Sequence, residues 1–480
     1  MSTARGRDGA PERIHDFVAI GAGPFNLGFA CLAAPVDGLD GIVLEAREEI
    51  SWHPGMMLPD ATLQVPFLAD LVTMADPTSP FSFLAWLKET GRLYPFYIRE
   101  SFYPLRAEYD AYCRWAAERL GTVLLGRHVQ SARWVPADSE HPGHHLVEAL
   151  TPDGTETHRA RHLVLGTGTS PHVPPALREV VGRGAPGGGA GPWAAEGAGG
   201  GAGPWAATGT AIHSADYLAH KERLQATGHV TVVGSGQSAA EVYRDLLEDV
   251  DTLGYRLSWV TRSPRFFPME YTKLTLELTS PEYTRYFQSL PESTRDRLVV
   301  EHKPLYKGIS GDLVDDIFDA LYRKSVAGPV ATDLLTGTTV VGATWDAERG
   351  RHVLDLHHDE TGTPSQLETE ALVVATGYRA QLPAFVEPLR ERIRWDGQGR
   401  YDVSATYTID DAGTLHVQNA EEHTHGFVAP DLGMGAYRSA IIVNDIAERE
   451  VYPVEERIAF QTFGPGGRVR EETTAGQARR

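Results

Sequence analysis

Two short apolar runs set the pattern of this chain. Phe17-Val18-Ala19-Ile20 leads straight into Gly21-Ala22-Gly23-Pro24-Phe25-Asn26. Far downstream, Val230-Thr231-Val232-Val233 leads into Gly234-Ser235-Gly236-Gln237-Ser238-Ala239. Each run has the length and composition of a buried strand, and the small residues after it open a helix. The first unit predicts a strand from near Asp16, a helix from about Pro24 to Ala34, and a strand Gly41–Leu44 ending at Glu45. The second predicts a βαβ unit over about 229–262, with a helix around Gln237 to Glu248 and a strand Arg256 to Thr261 that ends at Arg262.

Elsewhere the pattern is coarser. Residues 51–80, rich in Pro and Met, read as loop. Helical spacing returns at about 80–91 (Phe81, Leu84, Leu87) and 105–120 (Tyr109, Tyr112, Trp115, Leu120). Strand-like runs lie at 122–125, 146–149, 162–165 and 372–374, the last running into Ala375-Thr376-Gly377-Tyr378. Residues 263–312 read as irregular, followed by helices at about 312–325 and 437–449. Residues 184–208 are glycine-rich, and Gly-Gly-Gly-Ala-Gly-Pro-Trp-Ala-Ala occurs there twice, which reads as a flexible surface insert with a local duplication. Residues 1–12 and 465–480 are polar tails, expected to be disordered.

Composition narrows the partners. A length of 480 residues allows two or three domains. A formal net charge of −20 argues against nucleic acid or an anionic membrane as partner. The two cysteines, Cys31 and Cys113, are far apart, which excludes a Cys-x-x-Cys redox centre and a disulfide scaffold. The polar first residues and the lack of a long apolar stretch predict a cytoplasmic protein.

The candidate chemistry starts at the glycine turns. Gly21 permits the tight turn, Gly23 leaves room for a pyrophosphate, and the helix begun by Pro24 offers free N–H groups and a partial positive charge. Asn26 stands where a third glycine is usual. Glu45 falls where ribose hydroxyls are met, so the first unit fits FAD. The second unit, with Gly234, Gly236, Gln237 and Ser238, ends on Arg262, with Arg265 close by and no acid. A basic residue at that edge suits a 2′-phosphate, hence NADPH over NADH. Two dinucleotides that exchange electrons describe a flavoprotein reduced by a nicotinamide. Gly209-x-x-x-His213-Ser214-x-x-Tyr217 resembles an element that flavin monooxygenases carry between their two motifs, although a lone His also serves simply to tie a linker to a domain.

Several longer stretches resemble the N-hydroxylating flavin monooxygenases of hydroxamate siderophore biosynthesis. They are Gly21 to Gly28, Trp52-His53-Pro54-Gly55-Met56, Leu63-Gln64-Val65-Pro66-Phe67, Asp70-Leu71-Val72-Thr73, Asp76 to Leu84, Gly234 to Glu241, and Ala375 to Tyr378. The resemblance implies an α/β fold of two Rossmann-like domains: an FAD domain (13–208 and 371–455) with an inserted NADPH domain (209–262 and 313–370). A small substrate-binding region covers 263–312. It implies that NADPH reduces FAD, that reduced flavin traps O2 as a C4a-hydroperoxide, and that a neutral primary amine attacks its distal oxygen. Trp52, His53 and Gln64 then line the flavin, with Gln64 and His53 nearest the chemistry, and Thr376 and Gly377 join the cofactor site. A homo-oligomer, dimer or tetramer, is implied as well.

The substrate follows from one departure. Relatives acting on ornithine or lysine have a lysine that pairs with the substrate carboxylate, and Ala69 stands there in this chain. Their substrate asparagines fall where this chain has Leu276-Glu277 and the segment around Lys307. A buried carboxylate without a partner is costly. A diamine such as cadaverine or putrescine therefore fits better, with Glu270 or Glu277 to receive its second ammonium. The alternatives are L-lysine N6- or L-ornithine N5-hydroxylation, with Lys307 as a replacement carboxylate partner. Outside the family stand another flavin monooxygenase and a flavin-binding redox sensor.

Overall fold

The structure, a computed structural model, describes residues 13–181 and 210–465. The expectations for 1–12, 184–208 and 466–480 fall outside those residues. Two separate sheets carry the chain. The first has seven strands, running Val123–Leu124, Gly41–Leu44, Ile14–Ile20, Gly154–Leu165, His144–Thr151 and His128–Val135, with Leu415–Val417 beside the end of Gly154–Leu165. Ile14–Ile20 is parallel to both of its neighbours, and its last four residues are buried. An apolar run without alternation is what a parallel strand covered on both faces requires. The helices Pro24–Ala33, Arg106–Leu120 and Gly435–Ile446 pack here, around Leu27, Phe29, Tyr112 and Ile442.

The second sheet is wholly parallel, in the order Thr332–Leu335, Arg256–Val260, His229–Val233, Ala371–Val374, Thr210–His213. The helix Gln237–Leu253 lays Val242, Tyr243, Leu246 and Leu247 against it. A three-stranded antiparallel sheet (Thr338–Asp346, Arg351–His358, Thr363–Thr369) shares a core with its other side. The chain passes between the two bodies in one ribbon, where Thr169–Pro171 pairs antiparallel with Tyr378–Ala380.

Two expectations need correction. A boundary at 371 puts Ala371–Val374 with the first sheet, but this strand sits between His229–Val233 and Thr210–His213 in the second. An isolated apolar run carries no address, and register with its neighbours supplies it. Residues 263–312 are not irregular: Lys273–Leu276, Pro281–Ser289, Glu292–Glu301 and Lys303–Tyr306 are helical. These helices are too short for a clear period, and prolines begin two of them. They gather on a small aromatic core of Tyr283, Phe287 and Phe427.

Candidate functional site

The first glycine turn is built as its sequence demands. Gly21 has φ +93°, and a Cβ there would fall 2.5 Å from the carbonyl oxygen of Gly166, so both backbone and space require glycine. A Cβ on Gly23 would meet nothing within 4 Å, which leaves the face of the turn open to a ligand. The helix behind it has Pro24 in its first turn and no side-chain cap, so its leading N–H groups are available. Glu45 lies against the turn: one carboxylate oxygen accepts the N–H of Ala22 at 2.8 Å and the other accepts Nε of Arg47 at 2.9 Å. Asn26 does not face the opening. Its amide donates to the carbonyls of Ile20 and Gly21, and its oxygen accepts from Gln418. Asn26 replaces the third glycine by stitching the helix to the sheet.

The loop that follows Trp52 leans across to the second body. Trp52 donates its N–H to Asp110 at 2.6 Å, and its ring meets those of His53 and Tyr109. His53 is left-handed at φ +52°, an unusual setting for a residue with a side chain. Its side chain keeps exposed surface between the rings of Trp52 and Tyr378. Desolvation first, then Arg106 and Arg47, lower its pKa to about 4. Its ring reaches Tyr378, which in turn meets His213. His213 accepts the N–H of Ala215 and bonds the carbonyl of Gly377. Gln64 lies in a loop paired to the 102–105 segment through Leu63 and Phe67. Its Nε2 is buried without a hydrogen-bond partner. Ala69 is buried next to Asp70, whose carboxylate gathers the N–H groups of Val72, Thr73 and Phe83.

The second turn is more crowded than the first. A Cβ on Gly234 would strike the carbonyl of Ala375 at 2.2 Å, and one on Gly236 would sit 3.3 Å from the carbonyl of Lys307. The helix Gln237–Leu253 also starts without a side-chain cap. Ser238 lies in its first turn. Gln237 is committed elsewhere, with its amide on Glu241 and its oxygen on the N–H of Ser310, both at 2.8 Å. Thr376 donates to the carbonyl of His172, and Gly377 turns at φ +84°. Arg262 is exposed and makes no ion pair among the described residues.

The residues expected at the amine separate into two groups. Glu277 is a surface group, and its two oxygens accept the N–H groups of Phe460 and Gln461 at 3.0 Å each. That commitment removes it as a substrate acceptor, and Leu276 beside it is exposed. Its neighbour in space, Glu282, holds Ile458 and Ala459 in the same way. The glutamates bind the chain's own C-terminal segment, a long-range pairing that sequence spacing cannot show. Glu270 is exposed and its backbone bonds Pro304. Lys307 lies with its ammonium 4.8 Å from the centre of the Tyr306 ring, in reach of the charge on Glu422, which accepts the Tyr306 hydroxyl. Sequence reasoning missed Asp431. Desolvation raises its carboxyl pKa, the N–H of Gly433 is its hydrogen bond at 2.9 Å, and desolvation together with the charge of Asp431 pushes the Tyr271 hydroxyl up to about 12. The turn it begins brings Gly435 to Phe25 of the first glycine motif. The signal was there: an acid just ahead of the small residues that start the last helix.

These observations fit two dinucleotides. There are two uncapped helix starts behind glycine turns, an acid beside the first and an unpaired arginine beyond the second. The buried carboxamide nitrogen of Gln64 lacks a partner. No group of three or more His, Cys, Asp or Glu suited to a metal occurs among the described residues.

Comparison with known proteins gives a consistent picture. Residues 13–185 and 204–380 match the family described as L-lysine 6-monooxygenase/L-ornithine 5-monooxygenase. The putrescine N-hydroxylase of Shewanella oneidensis is 42% identical over 454 residues, covering 94% of this chain and 84% of that protein. The FAD-bound cadaverine monooxygenase of desferrioxamine biosynthesis from Erwinia amylovora superimposes with a TM-score of 0.86. It is 46% identical and covers 95% of this chain and 100% of the other. An ornithine N-hydroxylase from a Kutzneria species, with reduced FAD, NADP+ and L-ornithine, gives a TM-score of 0.78 at 28% identity, covering 91% and 99%.

Proposed function

The chain belongs to the L-lysine 6-monooxygenase/L-ornithine 5-monooxygenase family, and we propose that within it the substrate is a short diamine, cadaverine or putrescine. The protein is an NADPH-dependent flavin monooxygenase that uses FAD and O2. It hydroxylates one amine nitrogen on the way to a hydroxamate siderophore. FAD, when bound, supplies the centre that takes electrons from NADPH and activates dioxygen.

The chain's own residues have the remaining tasks. The open face at Gly23, the uncapped helix at Pro24, and Glu45 receive FAD, and the unmatched N–H donor of Gln64 is assigned to the same cofactor. Gly234, Gly236 and the helix start at Gln237 and Ser238 receive NADPH, with Arg262 on its 2′-phosphate. Trp52, His53 and Tyr378 line the space between the cradles. His53 is uncharged near pH 7, so it places no second cation beside an amine that must itself lose a proton.

The observation that carries the diamine reading is the buried methyl of Ala69. A carboxylate entering there finds a methyl where the amino-acid hydroxylases have a lysine, whereas Lys307 is already matched by Tyr306 and Glu422. Asp431, half-buried and holding only the N–H of Gly433, offers the opposite charge as an acceptor for the diamine's second ammonium. The relatives agree, since the putrescine and cadaverine enzymes are 42% and 46% identical and the ornithine enzyme 28%. The test is hydroxylamine formation and NADPH oxidation by the FAD-loaded protein across cadaverine, putrescine, lysine and ornithine. A preference for either amino acid overturns the reading, and NADPH oxidation that ignores every amine removes the hydroxylase itself.

A homo-oligomer, dimer or tetramer, is part of the proposal. The exposed cluster Tyr94, Tyr97, Ile98 and Phe102 supports it. So is a cytoplasmic location, supported by two free, buried cysteines. Among the described residues no helix is long and apolar enough to cross a membrane.

A further inference from the structure

Arg106 begins the helix Arg106–Leu120 in the first body, and Glu241 lies one turn into the helix Gln237–Leu253 of the second. Their side chains meet in a two-pronged ion pair, Nη1 to Oε2 at 2.8 Å and Nη2 to Oε1 at 2.5 Å. Only 13% of the arginine side chain and 6% of the glutamate side chain remain exposed. A pair this enclosed is set apart from the molecule's surface ion pairs, which water and salt weaken.

The pair does not stand alone. Nη1 of Arg106 also donates to the carbonyl of Met56 at 3.2 Å, in the Trp52–Met56 loop that walls the flavin space. Glu241 accepts the amide of Gln237, and the oxygen of Gln237 accepts the N–H of Ser310, just beyond Lys307. One continuous chain of hydrogen bonds therefore joins the flavin loop, the second glycine motif and the segment beside the amine region. Its charge is felt in the cleft, since Arg106 adds to the desolvation that lowers the pKa of His53 and opposes the desolvation that raises that of Tyr378.

We propose that Arg106, Glu241 and Gln237 form a tie that sets the second cradle's position over the flavin loop and so governs reduction of the flavin by NADPH. They are positioning residues. Hydride transfer needs the donor and acceptor atoms in near contact, so a small displacement of one cradle costs rate steeply. The arginine fork matters here because its two parallel bonds fix an angle as well as a distance, which a lysine ammonium does not. The inference rests on the two-nucleotide reading above and does not depend on which amine is used.

The test uses the FAD-loaded full chain and the variants Arg106→Met, Arg106→Lys, Glu241→Gln and Gln237→Ala. Anaerobic flavin reduction at saturating NADPH is expected to slow about tenfold or more in Arg106→Met and Glu241→Gln. FAD affinity of the apoprotein should stay within about twofold, and Arg106→Lys should recover only part of the rate. Small-angle scattering of the apoproteins should show a broader distribution of the two bodies. Gln237→Ala strands no ion, so it reports even where the ion-pair variants fail to fold. A threefold or larger slowing is expected there. Reduction rates and scattering profiles that match the unaltered protein in every folded variant overturn the tie. None of these measurements includes an amine, so a failed diamine assay leaves the tie standing, and the reverse holds as well.

Discussion

The Cβ that Gly55 lacks would fall 1.7 Å from the carbonyl oxygen of Ala215. Backbone of the Trp52–Met56 loop is thus pressed directly on backbone of the second body, with no side chain between them. Gly55→Ala must push the two apart, since neither atom is the end of a flexible side chain. Overpacking of this kind costs about 1–3 kcal/mol, and here the upper end is expected. Thermal unfolding should fall by several degrees and flavin reduction should slow. An unchanged melting point with normal turnover would mean that the contact relaxes freely.

Gln64 separates a binding role from a structural one. Its Nε2 is buried without a partner, a state that costs about 1–3 kcal/mol. Gln64→Leu should leave the apoprotein as stable as before, or more so, while FAD affinity falls. Loss of apoprotein stability with normal FAD affinity would contradict the assignment.

Arg262 has no acid to neutralise it among the described residues and stands at the end of the Arg256–Val260 strand. Arg262→Ala should raise KM for NADPH about tenfold, on the order of 1.4 kcal/mol, and leave the amine KM alone. Discrimination against NADH should shrink by the same factor. Equal effects on both substrates would reject the phosphate role.

Ala69 and Asp431 make opposite predictions about charge. Ala69→Lys adds a buried cation, so diamine kcat/KM should drop about tenfold while lysine or ornithine gains relative to it. Asp431→Asn removes the anion, so the amine KM should rise with the NADPH KM unaltered. If neither substitution moves amine selectivity, the diamine reading loses its physical basis.

Acid stability follows from the buried histidines. His145, His352 and His425 are almost wholly buried, and desolvation lowers their pKa from 6.5 to about 3, 4 and 3. Each is neutral in the folded protein and takes up a proton on unfolding below pH 6.5. Unfolding therefore binds protons, and stability falls as pH drops from 6.5 toward 4. Each group contributes at most about 1.4 kcal/mol per pH unit. Asp70 and Glu421, whose pKa values burial raises, work in the opposite sense at the acid end. The melting temperature, followed between pH 7.5 and 4.5, should decline through this window. A flat profile would show that the histidines are hydrated.

The chain announced what is local. Both glycine turns, their strands and helices, and the positions of Glu45 and Arg262 follow from short-range rules, because a tight turn, a phosphate cradle and a helix start each need particular residues within a few positions. What it concealed is set by contacts between distant segments. Asn26 looked like a cradle residue, but its amide is taken by Ile20, Gly21 and Gln418. Glu277 looked like a substrate acid, but its carboxylate holds Phe460 and Gln461. Asp431 was passed over because no motif marks it, and only the fold brings its charge to Tyr271. Residue type set what each group is able to do, and the tertiary path decided for which partner.

The paired crossing at Thr169–Pro171 and Tyr378–Ala380 has one more implication. The polypeptide of the module thus enters and leaves through one covalent neck. Its removal would leave two chain ends already side by side, ready to be joined by a short turn. Such a connection lets a module be inserted into a chain without rethreading the sheet it hangs from.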